Sequence, residues 1–308
     1  MSDNNKDKFF KNYNNGLPQI IQKEFIADIE TPISSLIKIS ENEKYNFLLE
    51  SVQGGDQRGR YSILGCDPDI IWEVNNNKAK ATALNKQLDL SFLSEDPIKS
   101  LKQLVNFSKI NKESNSSPFP ILVGYLGYPM IQLMEKINLK NPDEINIPDA
   151  LMIRPKLVAV FDNIKDTINI MTSIYPIKKI SAELAFSNAN DYINNIIKKL
   201  NRDIPKKSFF KKSKTLNLDF KSNYSKKKYF QIINKAKDYI IKGDIFQVVP
   251  SQRFKSNYNL SAQTLYRSLR RLNPSPFLVN LNFNNFGLVA SSPEILVRLR
   301  KNNITIRP

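Results

Sequence analysis

Histidine is absent from the 308 residues, and cysteine occurs once, at Cys66. Without histidine, no Ser-His-Asp triad, Cys-His dyad or histidine-bearing zinc site exists in this chain. A single cysteine excludes an internal disulfide and agrees with a reducing compartment. With no imidazole to draw its proton, Cys66 reads as a small buried side chain. Long apolar runs are also missing, and no segment approaches the length of a membrane-spanning helix. The opening Met1-Ser2-Asp3-Asn4-Asn5-Lys6-Asp7-Lys8 lacks the apolar stretch that directs secretion, so a cytoplasmic protein is expected. Hydrophobic residues still make up 41% of the chain, enough core for one large domain or two smaller ones. Carboxylates, amides, lysines and backbone groups are left to carry any chemistry.

Acidic residues are in deficit. There are 29 Asp and Glu against 46 Lys and Arg, a formal net charge of +17. Taken alone, that excess points to nucleic acid or an anionic ligand. The excess is mostly lysine and accompanies abundant Asn and Ile, as AT-rich codon bias would produce. Solvated lysine faces account for it. The clusters Lys206-Lys207, Lys211-Lys212 and Lys226-Lys227-Lys228 are interleaved with Phe209, Phe210 and Tyr224. That pattern has the form of a single-strand nucleic-acid stripe, but a charged linker is the preferred reading. Neither nucleic acid nor membrane is expected as a partner.

The first fifteen or so residues are polar and read as frayed. From Gln19 to about Tyr175, short strands alternate with turns. Asn46 to Val52 and Arg60 to Gly65 read as strands separated by a turn at Gly54-Gly55-Asp56. Asp96-Pro97 supplies an N-cap and a first-turn proline for a helix to about Lys109. Ile121 to Tyr128 reads as a buried strand, and Lys156 to Phe161 pairs with Thr167 to Tyr175 around Asp162-Asn163. Residues 181–200 have helical spacing, with Leu184, Tyr192, Ile196 and Leu200 on one side. Ser225 caps another helix, whose apolar side is Phe230, Ile233, Ala236 and Ile240 and whose end is Gly243. A strand is expected from Ile245 to Phe254 and a helix from Ser261 to near Leu272. Hairpins follow, Phe277–Phe283 with Phe286–Ala290 and Ile295–Arg300 with Ile304–Arg307. The expected class is α+β, large antiparallel sheets with flanking helices. The expected division is an N-terminal domain over 17–200, a Lys-rich linker over 201–228, and the first part of a second domain over 229–308.

Three motifs follow one another near the C-terminus. They are Gly243-Asp244-Ile245-Phe246-Gln247-Val248-Val249-Pro250-Ser251-Gln252-Arg253-Phe254, then Asn273-Pro274-Ser275-Pro276-Phe277, then Ser291-Ser292-Pro293-Glu294. Four weaker ones precede them: Leu48-Leu49-Glu50-Ser51, Gly59-Arg60-Tyr61-Ser62, Gly124-Tyr125-Leu126-Gly127-Tyr128 and Val160-Phe161-Asp162. In this order and rough spacing they resemble the chorismate-utilising enzymes, most closely the large subunits of anthranilate synthases. Asn163 departs from the resemblance, since relatives often carry His there. The resemblance implies a chorismate-binding α/β sandwich that is incomplete here, because family members continue well past Pro308. It also implies a lyase reaction, in which ammonia adds to C2 of chorismate, the 4-hydroxyl leaves, and pyruvate is eliminated.

Two residues are implied in that reaction. Gln247 stands where isochorismate-forming relatives carry a lysine that acts as base towards water. Ammonia already has a free lone pair, so a neutral amide that only orients it suffices. Glu294 matches the general acid for the departing hydroxyl, and that role requires burial or a nearby negative charge to keep it protonated. Read without the resemblance, Gln247 is a strand glutamine bonding a neighbouring backbone and Glu294 a solvated carboxylate. A second implied site is a feedback pocket for tryptophan, built from Glu50, Ser51, Arg60, Pro276, Phe277 and Leu278. Pro276 and Phe277 offer apolar surface to an indole, Ser51 can bond the amino-acid head, and Glu50 its ammonium. Relatives often have Met where Leu278 stands. The alternative readings are a turn packed on a strand, and an Arg60 that only pairs with a carboxylate.

The resemblance further implies Mg2+ held by residues beyond Pro308, a glutamine amidotransferase subunit that delivers ammonia, and a hetero-oligomer when full length. Thr305-Ile306-Arg307-Pro308 resembles the opening of a motif continuing Ile-Ala-Gly-Thr in anthranilate synthases. Aminodeoxychorismate synthases, the alternative, usually place a lysine there. A non-catalytic tryptophan-binding fragment is a third reading. The chain alone is expected to be catalytically incomplete.

Overall fold

The computed structural model describes residues 3–53, 57–110, 118–139, 142–205, 218–300 and 302–306. The expected turn at 54–56 and the lysine clusters at 206–212 lie outside the described residues.

The first 200 residues form, in order, α1 (Asp3–Asn14), β1 (Gln19–Ile26), α2 (Pro32–Ile39), β2 (Tyr45–Glu50), a small pair β3 (Val52–Gln53) and β4 (Gln57–Arg58), β5 (Tyr61–Asn75), β6 (Lys78–Ala83), α3 (Pro97–Phe107), β7 (Val123–Leu126), β8 (Ala150–Asp162), β9 (Thr167–Ile174) and α4 (Ala182–Leu200). The remainder forms β10 (Lys221–Ser222), α5 (Lys226–Ile241), β11 (Phe254–Lys255), α6 (Ala262–Leu272), β12 (Phe277–Phe283), β13 (Phe286–Ser292), β14 (Arg298–Arg300) and β15 (Asn303–Thr305). One nine-stranded sheet dominates, in the order β1-β9-β8-β5-β2-β12-β13, with β6 also on β5 and β7 on β8. Its strand pairs are antiparallel. The class is therefore α+β with a large antiparallel sheet and flanking helices, as the hairpin pattern anticipates.

The chain divides into two compact units, 1–208 together with 262–308, and 209–261. The expected linker overlaps the start of the smaller unit, while β12 and β13 complete the sheet of the larger one.

The core of the larger unit lies where α1, α2 and α4 cover the sheet. On α4 the buried stripe is Ala182, Ala185, Ala189, Ile193, Ile196 and Leu200, a helical period with one apolar face inward. Leu184 is off that stripe and half exposed, which corrects its expected place. Asp3–Asn14 are also helical rather than frayed. Phe9 and Tyr13, one helical turn apart, are buried, and Phe9 and Phe10 pack their rings on Phe186 of α4. Three aromatics at helical spacing bury enough area to dock an otherwise polar helix.

β5 runs for 15 residues, well past Gly65, where the expected strand ends. Pro68 faces Pro155 on β8, and the register shifts between Pro68 and Ile70. Neither proline has an N–H to donate, so placing them opposite each other leaves no donor orphaned at that rung. The bulge delivers Asp69 to Arg154, whose Nε and Nη2 bond its two oxygens at 2.7 and 2.6 Å. Arg154 is 1% exposed, with its guanidinium 3.7 Å from the centre of the Tyr175 ring.

Within the smaller unit, Ser225 accepts from Lys228 N to cap α5, and Gly243 ends the helix with φ +78°, a conformation open to glycine. The strand expected over Ile245–Phe254 does not form. Among the described residues only Phe254 and Lys255 pair, with Ser222 and Lys221, since an alternating apolar run becomes a strand only beside a partner edge. The last hairpin is likewise shorter than expected, pairing Arg298–Arg300 with Asn303–Thr305.

Arg154→Ala leaves the partly buried Asp69 without its partner and is expected to cost about 3 kcal/mol, the low end for a buried pair. Urea unfolding of the variant beside the parent chain measures it.

Candidate active and regulatory sites

The feedback-pocket residues converge on the end of β2. Its last residue, Glu50, lies opposite Leu278 on β12. The next rung is closed by Val52 N donating to Ser275 O at 3.1 Å. Ser51 O accepts from Gly59 N at 2.7 Å, and a Cβ on Gly59 would stand 2.7 Å from that of Ser51, so only glycine permits this approach. Asn163 supports the same loop, donating through Nδ2 to Gly59 O at 2.7 Å. Pro276 is exposed and Phe277 is 40% exposed, whereas Leu278 is buried in the core.

Two members of the set are already engaged. The Glu50 carboxylate is buried, accepting from Tyr266 Oη at 2.6 Å and Arg270 Nη2 at 3.0 Å. Arg60 grips Asp162 through Nε and Nη2, at 3.2 and 2.9 Å to the same oxygen, and lies over the Tyr61 ring. The hydrogen bond from Arg60 holds the Asp162 carboxyl below the usual carboxylate range. That pairing stabilises the fold above the unfolded carboxyl value of about 3.9 and is lost as pH falls through the lowered folded value. With half of Arg60 in solvent, screening by water keeps that contribution small.

Tyr266 and Arg270 escaped the reading of the sequence. They stand one turn apart on α6, a Tyr/Arg pair at helical spacing, and only the β2–β12 ladder shows that this face meets Glu50. Burial, then the carboxylate beside it, pushes the Tyr266 phenol upward, so it stays protonated and donates.

The two candidate catalytic residues are placed differently. Gln247 is exposed, in the irregular segment of the smaller unit. Glu294 belongs to the larger unit, just after β13, and is also exposed. The burial that a protonated acid requires is therefore not present at Glu294. Its approach is fixed upstream, where Ser291 Oγ bonds Asn273 O at 2.6 Å and Ser275 Oγ at 2.8 Å. The second and third motifs thus touch through their serines. As for magnesium, no group of three or more Asp, Glu or Cys among the described residues is arranged to hold a metal ion. These residues do not by themselves fit the cation.

Residues 46–308 match the chorismate binding enzyme family. The chain belongs to that family. It is 38% identical over 305 residues to anthranilate synthase component 1 of Cereibacter sphaeroides, covering 98% of this chain and 61% of that protein. Against anthranilate synthase component 1 of Aquifex aeolicus it is 33% identical, covering 98% of this chain and 60% of the other. The chain thus spans about three fifths of the length of these relatives. The crystal structure of anthranilate synthase component I from Streptococcus pneumoniae superposes with a TM-score of 0.62 at 26% identity, over 80% of this chain and 53% of that one. The α+β fold is shared with a solved family member. No helix among the described residues is long and apolar enough to cross a membrane.

Cys66, the lone thiol of this family member, is 1% exposed on β5. Burial raises its pKa far above the ordinary thiol value, so it stays protonated and inert at neutral pH. A thiol-reactive dye at pH 8 is expected to label Cys66 only after denaturant unfolds the chain. Tyr266→Phe removes a donor from the buried Glu50 and is expected to lower stability by about 1–3 kcal/mol, read from the urea midpoint.

Proposed function

We propose that this chain is the N-terminal three fifths of an anthranilate synthase large subunit. The single observation that carries the reading is the identity of 38% over 98% of the chain to a protein named anthranilate synthase component 1. In this reading chorismate and ammonia give anthranilate, pyruvate and water, with ammonia supplied from glutamine by an amidotransferase subunit. The amide of Gln247 orients ammonia towards C2 without needing to deprotonate it. Glu294 gives its proton to the leaving 4-hydroxyl. Magnesium is proposed as the cation of the reaction and would be held by residues other than the described ones, and the whole is proposed to work in the cytoplasm.

Tryptophan is proposed as a feedback inhibitor at the β2–β12 end. The exposed Pro276 and Phe277 present apolar surface to its indole, and the half-buried Ser51 is a partner for its polar head. Glu50, bonded to Tyr266 and Arg270, contributes local negative charge from a fixed position. Arg60, held by Asp162, shapes the adjoining loop.

The test compares the chain alone with the chain continued by the part of the Cereibacter sphaeroides relative that lies C-terminal to the matched region. With chorismate, ammonium and magnesium, the continued chain is expected to form fluorescent anthranilate and the chain alone none. Turnover by the chain alone would overturn the incompleteness, and aminodeoxychorismate as the product would move the assignment to that synthase. In the continued chain, Glu294→Gln is expected to lower turnover by about 10²–10⁴-fold while calorimetry shows tryptophan binding unchanged. Gln247→Lys is expected to admit water and yield a hydroxylated product separable by chromatography. A merely slower ammonia reaction would remove the support for nucleophile selection by Gln247.

A further inference from the structure

A cavity of about 360 Å3 opens beside α4, at the bulge of β5. It shares no residue with the β2–β12 site or with Gln247 and Glu294, and the proposed reaction gives it no task. Its size is within the range of about 300–1,000 Å3 that small-molecule sites occupy. The hollow exists because α4 presents the short side chains of Ala185 and Ala189, one turn apart, where longer ones would fill it. Ile174, Ile177 and Leu88 supply apolar wall.

Its polar part is unusual. Asp67 adopts a left-handed backbone, φ +51°, next to the bulge, a conformation that Asp tolerates. Its carboxylate accepts from Tyr192 Oη at 2.8 Å and stands 3.8 Å from Lys156 Nζ. At that separation the ion pair is open, longer than a charge-assisted hydrogen bond of about 2.7–2.9 Å. Both side chains are near 40% exposed, 40% for Asp67 and 44% for Lys156. Asp69, deeper in the wall, is fully engaged by Arg154.

These charges select the ligand. A simple cation on Asp67 would sit against the Lys156 ammonium, and the faces of Tyr175 and Tyr192 are already covered by Arg154 and Lys156, at 3.7 and 4.2 Å. A simple anion would sit against the Asp67 carboxylate. An uncharged apolar molecule would dry both charges and return no hydrogen bond. A dipolar head satisfies both, because its ammonium on Asp67 and its carboxylate on Lys156 close a ring of four charges of alternating sign. We propose that this cavity binds a small zwitterionic amino acid with an apolar side chain, its head bridging Asp67 and Lys156 and its side chain lying on the Ile174–Ile177 wall.

Isothermal calorimetry on the full chain tests this with L-leucine as probe. Isocaproate, which lacks the ammonium, and isoamylamine, which lacks the carboxylate, serve as matched analogues. Asn tolerates left-handed backbone and keeps an acceptor for Tyr192, so Asp67→Asn preserves the fold. Lys156→Met keeps an apolar stem over the Tyr192 ring. Saturable binding of L-leucine is expected, weakened by about tenfold or more in either variant and for either analogue. No saturable binding would overturn the proposal. So would equal binding of isocaproate or isoamylamine, or equal affinity in the parent and both variants.

Discussion

The ladder between β2 and β12 is the interaction on which the larger unit depends. It brings Tyr266 to Glu50 across 216 positions of sequence, so its formation must repay a large loop-closure cost before any local contact rewards it. Once formed, it buries a carboxylate that needs two specific donors, and α6 supplies both. A buried charge tolerates little slippage, because a strand shifted by one residue would turn Glu50 to the other face of the sheet and leave it without partners. Register, helix docking and the shape of the β2–β12 site are therefore one constraint.

Apolar surface is distributed unevenly along the chain. Residues up to Leu200 build several closed clusters around the sheet. In contrast, α5 buries none of its residues, and Phe246, Val249, Leu296 and Ile304 are exposed. The candidate catalytic residues both lie in this second stretch. The chain spans about three fifths of the length of its anthranilate synthase component 1 relatives. The same openness accounts for Glu294, whose proposed acid role needs an environment that these residues do not supply.

The bulge at Asp67–Ile70 shows how one local irregularity serves several ends. Paired prolines remove the donors that would otherwise be stranded, Asp69 is turned to the buried Arg154, and Asp67 is left at a cavity rim. Each follows from proline chemistry, yet the strand expected from the sequence stops at Gly65, short of the Asp67-Pro68-Asp69 stretch that sets them up.

Local chemistry was legible in the sequence. The caps at Asp96 and Ser225, the Gly243 helix end and the hairpin about Asn284-Asn285 are read from side chains acting on their own backbone neighbourhood. The seven ordered motifs carried the family, because chemistry conserves residue types in order. Long-range placement was not legible. The docking of α1 through Phe9 and Tyr13, the entry of β12 into the first sheet, the capture of Glu50 by Tyr266 and Arg270, and the failure of 244–253 to become a strand all depend on which distant edge or face is on offer. Spacing specifies what a segment is able to form, whereas burial and pairing with remote segments determine what it does form.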